Sequence, residues 1–369
     1  MRFKIAFLKN QDWILSVTVG GLIFLGLLTI HSVASAFFNF QLAWIAIGIV
    51  VAFAVANVDL RPLAAHRWFI YGTYLLSIFL LFVTRVIGSP IRQAKSWLVL
   101  GPIHFQTSEF AKLALIIILA YFFARGHIGV ARIKNIFISF IFLAAPAFFI
   151  FLQPDLGATI IIFAIWVGFL FVSGIPWRRL IAGLIIFTIL GALAWNFALA
   201  EYQKKRVVGF LNPSNDPLGI NYSVIQSKIA VGSAGLFGKG YGQGTQAQLG
   251  FLPESHSDFI FSAFVEEWGI VGGIVIVFIF SLLLIRIAVI GLKSANNFFR
   301  FICLGAVIMF LVQFVLNTGS ALGLLPVTGV TFPFFSYGGS SFLINMLLIG
   351  IIQSIAIRST FLRHIHYEE

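Results

Sequence analysis

Charge is scarce in this chain. Only 10% of its 369 residues are Asp, Glu, Lys or Arg, where soluble domains carry about 25%. Acidic residues are the rarer sign, 12 against 24 basic ones, and there is one cysteine. The shortage of charge, with 60% hydrophobic residues, excludes a soluble globular domain and a disordered chain. A lone Cys303 excludes an intramolecular disulfide and with it a secreted disulfide scaffold. What is present is a series of long apolar runs, the mark of a polytopic membrane protein.

A helix needs about 20 mostly apolar residues to cross a ~30 Å hydrocarbon core. Ten runs qualify: 13–33, 40–57, 68–87, 105–124, 136–152, 156–175, 180–199, 259–285, 299–318 and 340–357. Polar residues seldom interrupt them, so helices are expected rather than the alternating strands of a barrel. The sequence thus predicts an all-α polytopic membrane protein with ten transmembrane helices. Residues 1–369 form a single integral membrane domain. Ala34-Ser35-Ala36 resembles a signal-peptidase site, but the apolar stretch before it is longer than the 7–15 residues of a usual signal core.

The net charge of +12 does not point to nucleic acid, because the charges fall in short clusters between the runs. Fifteen of the 24 basic residues, among them Arg2, Arg61, Arg125, Lys134, Arg286, Lys293 and Arg358, fall on one face. That face is expected to be cytoplasmic, with both termini on it.

On the other face three connections are long: 88–104, 200–258 and 319–339. The middle one, between helices seven and eight, is an expected extracytoplasmic loop, and loops of that size usually carry function. Within it Tyr222, Ile225, Ile229 and Leu236 have helical spacing, suggesting a segment along the membrane surface. Gly242-x-Gly244-x-x-Ala247 loosely matches a dinucleotide fingerprint but lacks its preceding strand. With no P-loop either, reactants at this face must be activated without soluble nucleotide; a lipid-linked pyrophosphate is chemically sufficient.

Ionisable groups at membrane depth are costly and usually functional. Glu109 and Lys112 are three residues apart and share a helix face. Counting from Arg125 at 1.5 Å per residue puts them roughly 24 and 20 Å from the basic face. They are either a buried ion pair joining helices or the wall of a cavity for a lipid headgroup. Asp155, in Gln153-Pro154-Asp155-Leu156-Gly157, is either a helix N-cap or a site residue. The densest cluster is Pro253-Glu254-Ser255-His256-Ser257-Asp258-Phe259. Asp258 stands roughly 12 Å above Glu266 and Glu267 if the helix continues, where a lipid-linked sugar would project. Its carboxylate suits a general base, with N-capping as the alternative. His256 is either a partner that orients Asp258 or a loop residue. Spacing alone specifies no cofactor; a divalent cation is the one candidate, weakly supported. The uncharged loop 324–341, rich in Gly, Pro and hydroxyl groups, reads as a re-entrant or gating element, or as a rigid hairpin.

These segments resemble the SEDS family (shape, elongation, division and sporulation) over nearly the whole chain. The resemblance rests on Trp97-Leu98-x-Leu100-Gly101, Phe105-Gln106-x-Ser108-Glu109-x-x-Lys112, Gln153-Pro154-Asp155-Leu156-Gly157, Asp216-Pro217-Leu218-Gly219, Gln226-Ser227-Lys228-x-Ala230, Phe251-Leu252-Pro253-Glu254-x-His256-x-Asp258-Phe259 and Ser336-Tyr337-Gly338-Gly339-Ser340. Gly244-Thr245-Gln246-x-Gln248 is similar to the rod-shape branch, with the division branch as the close alternative. Thr107 stands where the family often has Pro, Ser257 where Thr is frequent, Ser96 where Arg is usual and His104 where a basic residue is common. Arg92 and Lys95 are the nearby cations that stand in.

The resemblance implies a peptidoglycan glycosyltransferase polymerising lipid II outside the cytoplasmic (inner) membrane, with undecaprenyl pyrophosphate as leaving group. It also implies a class B penicillin-binding protein as partner, within a set of elongation-complex proteins. Asp258 would be the base. Lys112, Arg92, Lys95 and Arg206 are candidate cations for the leaving group, and Glu109 would hold Lys112. Trp97 would stack on sugar or lipid, unless it is an interfacial anchor. Asp155, Glu254, His256 and Ser336 complete the supporting set. The competing readings are a lipid II flippase and a non-catalytic scaffold.

Overall fold

The computed structural model describes residues 11–91, 94–101, 103–125, 133–174, 201–212 and 221–365, with a few isolated positions between 183 and 219. In chain order the elements are α1 (Trp13–Val33), α2 (Ser35–Asn57), α3 (Arg61–Ala65), α4 (Arg67–Ile87), β1 (Ser89–Ile91), β2 (Ala94–Leu100), β3 (Ile103–Gln106), α5 (Thr107–Arg125), α6 (Ile133–Leu152), α7 (Leu156–Val172), α8 (Glu201–Leu211), α9 (Tyr222–Gly232), α10 (Thr245–Gln248), α11 (Ile260–Lys293), α12 (Asn297–Ala321) and α13 (Gly339–Ile365). Among the described residues eight helices are long and apolar enough to cross a membrane, and α7 is a shorter apolar helix. These correspond to nine of the ten expected runs. The tenth, 180–199, lies almost wholly outside the described residues. The protein is an all-α polytopic membrane protein.

Local chemistry sets the helix ends. Asp12 caps α1 by accepting a hydrogen bond from the Leu15 amide at 3.0 Å and also binds Arg286 of α11 at 2.6 Å. Asn296 caps α12 through the Phe298 amide at 2.9 Å. The helix α5 is buried on nearly every face, packed by α4, α6, α7, α12 and α13. It is therefore the core of the bundle, and any polar group on it has to be satisfied by protein rather than by water.

Two segments depart from the sequence expectation. The connection 88–104 folds as a three-stranded antiparallel sheet, order β1-β2-β3. Its last strand takes Phe105 and Gln106 out of the expected helix, so α5 starts at Thr107. Trp97 pairs across β2–β3 with Gln106, and Leu98 with Phe105. In the large loop, α9 turns its small residues Ser227 and Ala230 inward, while Ile229 stays exposed. Ser227 Oγ lies 2.6 Å from Ser262 Oγ and donates to the Ala321 carbonyl at 2.6 Å. The segment thus packs on the ends of α11 and α12 through its small residues Ser227 and Ala230, with Val224 and Val231 against the core.

The helix α11 is broken at Gly269, whose φ of 74° and ψ of −176° are non-helical. The break frees four backbone groups, and the glycine-rich loop takes up all of them. Glu266 O accepts from Lys239 N and Glu267 O from Gly240 N, both at 3.0 Å; Ile270 N donates to Gly235 O at 3.1 Å and Val271 N to Leu236 O at 3.2 Å. Non-helical backbone in a spanning segment is tolerated only when protein satisfies it in this way. A methyl group at Gly269 would lie 2.2 Å from Leu236 O. Gly269→Ala is therefore expected to destabilise the protein by at least ~1–3 kcal/mol from backbone strain, read as a lower melting temperature in detergent.

Candidate active site

The Asp258 motif is a set of tight turns leading into α11. The amides of Ser257 and Phe259 both donate to the Glu254 carbonyl, at 3.1 and 3.2 Å. Glu254 holds a left-handed φ of 53° to allow this. Its side chain accepts from Ser257 Oγ at 3.0 Å and lies 3.7 Å from His256 Nε2. The N-cap position of α11 is Phe259, which makes no side-chain cap.

The last long loop is fastened to this motif. Ser336 Oγ donates to the Ser257 carbonyl at 2.7 Å and accepts from the Phe332 amide at 2.9 Å. The Tyr337 amide donates to the His256 carbonyl at 2.9 Å. Burial pushes the Tyr337 phenol above its ordinary pKa, so it stays a neutral donor near neutral pH. Phe37, at the start of α2, stacks on His256 with ring centres 4.3 Å apart and also meets Tyr337 at 4.9 Å. Nothing in the sequence joined Phe37 to this cluster.

A turn at Thr328–Gly329–Val330 connects the separate candidates. A Cβ placed at Gly329 would be 3.9 Å from Asp258 Oδ2, so the turn faces that carboxylate. On its other side the turn rests on Gly157, where a Cβ would meet Val330 Cγ2 at 2.5 Å and Thr328 O at 2.8 Å. Gly157 belongs to the first turn of α7, whose N-cap is Asp155. The Asp155 and Asp258 motifs therefore touch one and the same turn.

Asp155 realises its capping alternative and more. Its Oδ1 accepts from the Ala158 amide at 2.9 Å. Its Oδ2 accepts from Gln106 Nε2 at 3.0 Å and Ser108 Oγ at 3.1 Å. It thereby ties α7 to the start of α5. Asp155→Ala is expected to cost about 0.5–2 kcal/mol for the cap plus roughly 0.5–1.5 kcal/mol for each lost hydrogen bond, measured as a drop in thermal midpoint.

One turn further along α5, Lys112 Nζ lies 2.7 Å from Glu109 Oε2, with side-chain exposures of only 1% and 8%. The pair is buried, but both partners sit on α5, so this contact does not itself join two helices as the sequence reading expected. Trp97 is half-buried on β2 and Lys95 is exposed on the same strand. Arg206 lies on α8, its side chain outside the described ones, and Arg92 falls outside the described residues altogether.

A second polar cluster serves the break in α11. Glu266 accepts from Lys239 Nζ at 2.7 Å and from the Gln246 amide at 2.9 Å. Glu267 accepts from Ser32 Oγ, from Gln248 Nε2 at 3.2 Å and from the Gly242 amide at 3.2 Å. Tyr241, whose hydroxyl lies 2.7 Å from His31 Nδ1, has its pKa raised by desolvation and by the charge of Glu267. The glycines of this loop shape it around two buried carboxylates, which is a structural use rather than a nucleotide cradle. Among the described residues no three His, Cys, Asp or Glu side chains converge as a metal site.

Comparison with known proteins places the chain among characterised families. The FTSW_RODA_SPOVE family, described as cell cycle protein, matches residues 12–360. Peptidoglycan glycosyltransferase MrdB of Escherichia coli strain K12 is 37% identical over 315 residues, covering 85% of this chain and 84% of its own. Stage V sporulation protein E of Bacillus subtilis is 32% identical over 368 residues, covering 94% and 97%. A chain solved in work on the coordination of polymerization and crosslinking by a peptidoglycan synthase complex superposes with a TM-score of 0.82 at 33% identity, over 95% of this chain and 98% of that one. The rod shape determining protein RodA of Thermus thermophilus superposes at 0.71 with 29% identity, over 94% and 96%. The match over residues 12–360 and the relatives above 30% identity covering most of the chain lead to one statement: the chain belongs to the SEDS family of FtsW, RodA and SpoVE proteins.

Proposed function

We propose that this protein is a peptidoglycan glycosyltransferase that polymerises lipid II into β-1,4 glycan strands. The single observation that carries the reading is Asp258. Its carboxylate lies against the Thr328–Val330 turn, beyond the end of a membrane helix, in a motif held by main-chain hydrogen bonds. A lipid-anchored sugar projects to that level.

Asp258 takes the proton of the acceptor N-acetylglucosamine 4-hydroxyl. The oxygen attacks the anomeric carbon of the growing strand, the C–O bond to undecaprenyl pyrophosphate breaks, and the pyrophosphate leaves with the bonding pair. One base opposite one leaving group produces inversion, the logic of inverting glycosidases. Cations near the departing pyrophosphate lower the barrier. Lys95, exposed on β2, can meet it in solvent, and Arg92 and Arg206 are the further candidates. Lys112 is buried against Glu109, so its contribution is to shape the wall and its field. Ser336, Glu254 and His256 hold the Asp258 loop, and Trp97 on β2 would stack on sugar or lipid.

The same reading places the site outside the bacterial inner membrane and both termini in the cytoplasm, on the basic face. A class B penicillin-binding protein would crosslink the product within an elongation complex. The superposition on a chain of a peptidoglycan synthase complex supports this.

The test is polymerisation of lipid II in vesicles by the protein with its matching penicillin-binding protein, the crosslinking serine of the latter inactivated. A glycan ladder is expected. No ladder from a folded complex would overturn the reading in favour of lipid II transport or scaffolding.

A further inference from the structure

Asn317 is almost fully buried near the end of α12. Its Nδ2 donates to two main-chain carbonyls from different segments, Asp258 O at 3.1 Å and Val330 O at 2.8 Å. One amide thus ties the backbone of Asp258 to the turn its carboxylate faces. The Oδ1 atom of the same amide is buried without a hydrogen-bond partner. A leucine would fill similar volume and remove the dry Oδ1, at the cost of the two donor contacts. The two donor contacts are therefore what the polar group supplies.

We propose that Asn317 is the positioning residue of the active site, fixing the separation between Asp258 and the Thr328–Val330 turn. The inference rests on the reading of Asp258 as the base. Neither tied carbonyl belongs to a helix or strand, so no helical or sheet ladder sets their spacing. The contacts from Ser336 and Tyr337 reach only the carbonyls of Ser257 and His256. The Asp258 carbonyl is held by Asn317. A general base must come within about 2.6–3.2 Å of the proton it removes, and a misplacement of about 1 Å can cost ~10²-fold in rate. Releasing one tie on Asp258 acts on that distance without removing the carboxylate.

The experiment compares lipid II polymerisation by wild type, Asn317→Leu, Asn317→Asp, Asn317→Gln and Asp258→Asn. Each full-length protein is assayed with its penicillin-binding protein, and rates are expressed per folded molecule. Asn317→Leu and Asn317→Asp are expected to lower kcat about 10²-fold with KM for lipid II unchanged. Asn317→Gln, which keeps the amide on a longer arm, should recover part of the loss. A residue that only stabilised the fold would change the amount of folded protein and leave kcat per folded molecule untouched. Wild-type kcat per folded molecule in Asn317→Leu, which removes both donor contacts without burying a charge, with Asp258→Asn inactive, would overturn the positioning role alone. Activity retained by Asp258→Asn would instead overturn the base assignment beneath it.

Discussion

Asp258→Asn is expected to slow lipid II polymerisation by about 10²–10⁴-fold, the usual contribution of a general base. It should leave the fold intact. Asparagine keeps the shape of the side chain while removing its charge and its basicity. The main-chain ties at this position, from Asn317 Nδ2 to Asp258 O and from Ser336 Oγ to Ser257 O, do not involve the carboxylate. Phe259, not Asp258, holds the N-cap position of α11, so no cap is lost. The measurement is the glycan ladder from vesicles, alongside membrane abundance and melting temperature. A ladder of wild-type intensity would move the base elsewhere. Asp155 would be a poor replacement, because its Oδ1 caps α7 and its Oδ2 takes donors from Gln106 and Ser108. Glu254, beside His256 and Ser257, would be examined first.

The second large effect is at Lys112. Lys112→Met would strand the Glu109 carboxylate in the bundle core. Breaking a buried pair by removing one partner costs roughly 3–5 kcal/mol, so the variant should accumulate poorly and melt early. Replacing both residues with apolar ones of similar volume, Glu109→Leu with Lys112→Met, removes the uncompensated charge and should be close to neutral in stability. That double variant separates the two roles of the pair. If it is stable and polymerises normally, the ion pair serves only to neutralise two buried charges within α5. If it is stable and inactive, the charges contribute to the site, as the proposed mechanism requires. Thermal melts and the ladder assay on the same preparations decide between them.

The readability of this protein was uneven in a physically sensible way. The apolar runs could be counted because the hydrocarbon core demands about 20 apolar residues per helix regardless of neighbours. Asp12, Asp155 and Asn296 behave as caps by rules that act within three residues. Glu109 and Lys112 stood out because charge at that depth is costly, and the structure pairs them. Asn317 carried the same kind of mark, a primary amide in an apolar run, and could have been flagged by that cost; its partners could not.

Other features had no local mark. The break in α11 falls at Gly269 within Trp268-Gly269-Ile270, a glycine like many others in apolar helices. What singles it out is the loop from Gly235 to Gly240 that satisfies its freed backbone groups. The helix α9 shows apolar residues at helical spacing, yet the small residues Ser227 and Ala230 are the ones fully inside. Close approach to α11 and α12 favours small side chains, as in other membrane packing.

By itself, then, the amino-acid sequence determined the membrane class, the apolar runs that become nine of the helices and the short motifs that mark the family. All of these follow from solvation and from hydrogen bonds a few residues long. The tertiary structure alone decided that the Thr328–Val330 turn lies between the Asp155 and Asp258 motifs and that Asn317 holds it there. Those contacts join positions as far apart as Asn317 and Asp258, separated by 59 residues. Such pairings depend on how the helices pack, and no local propensity encodes them.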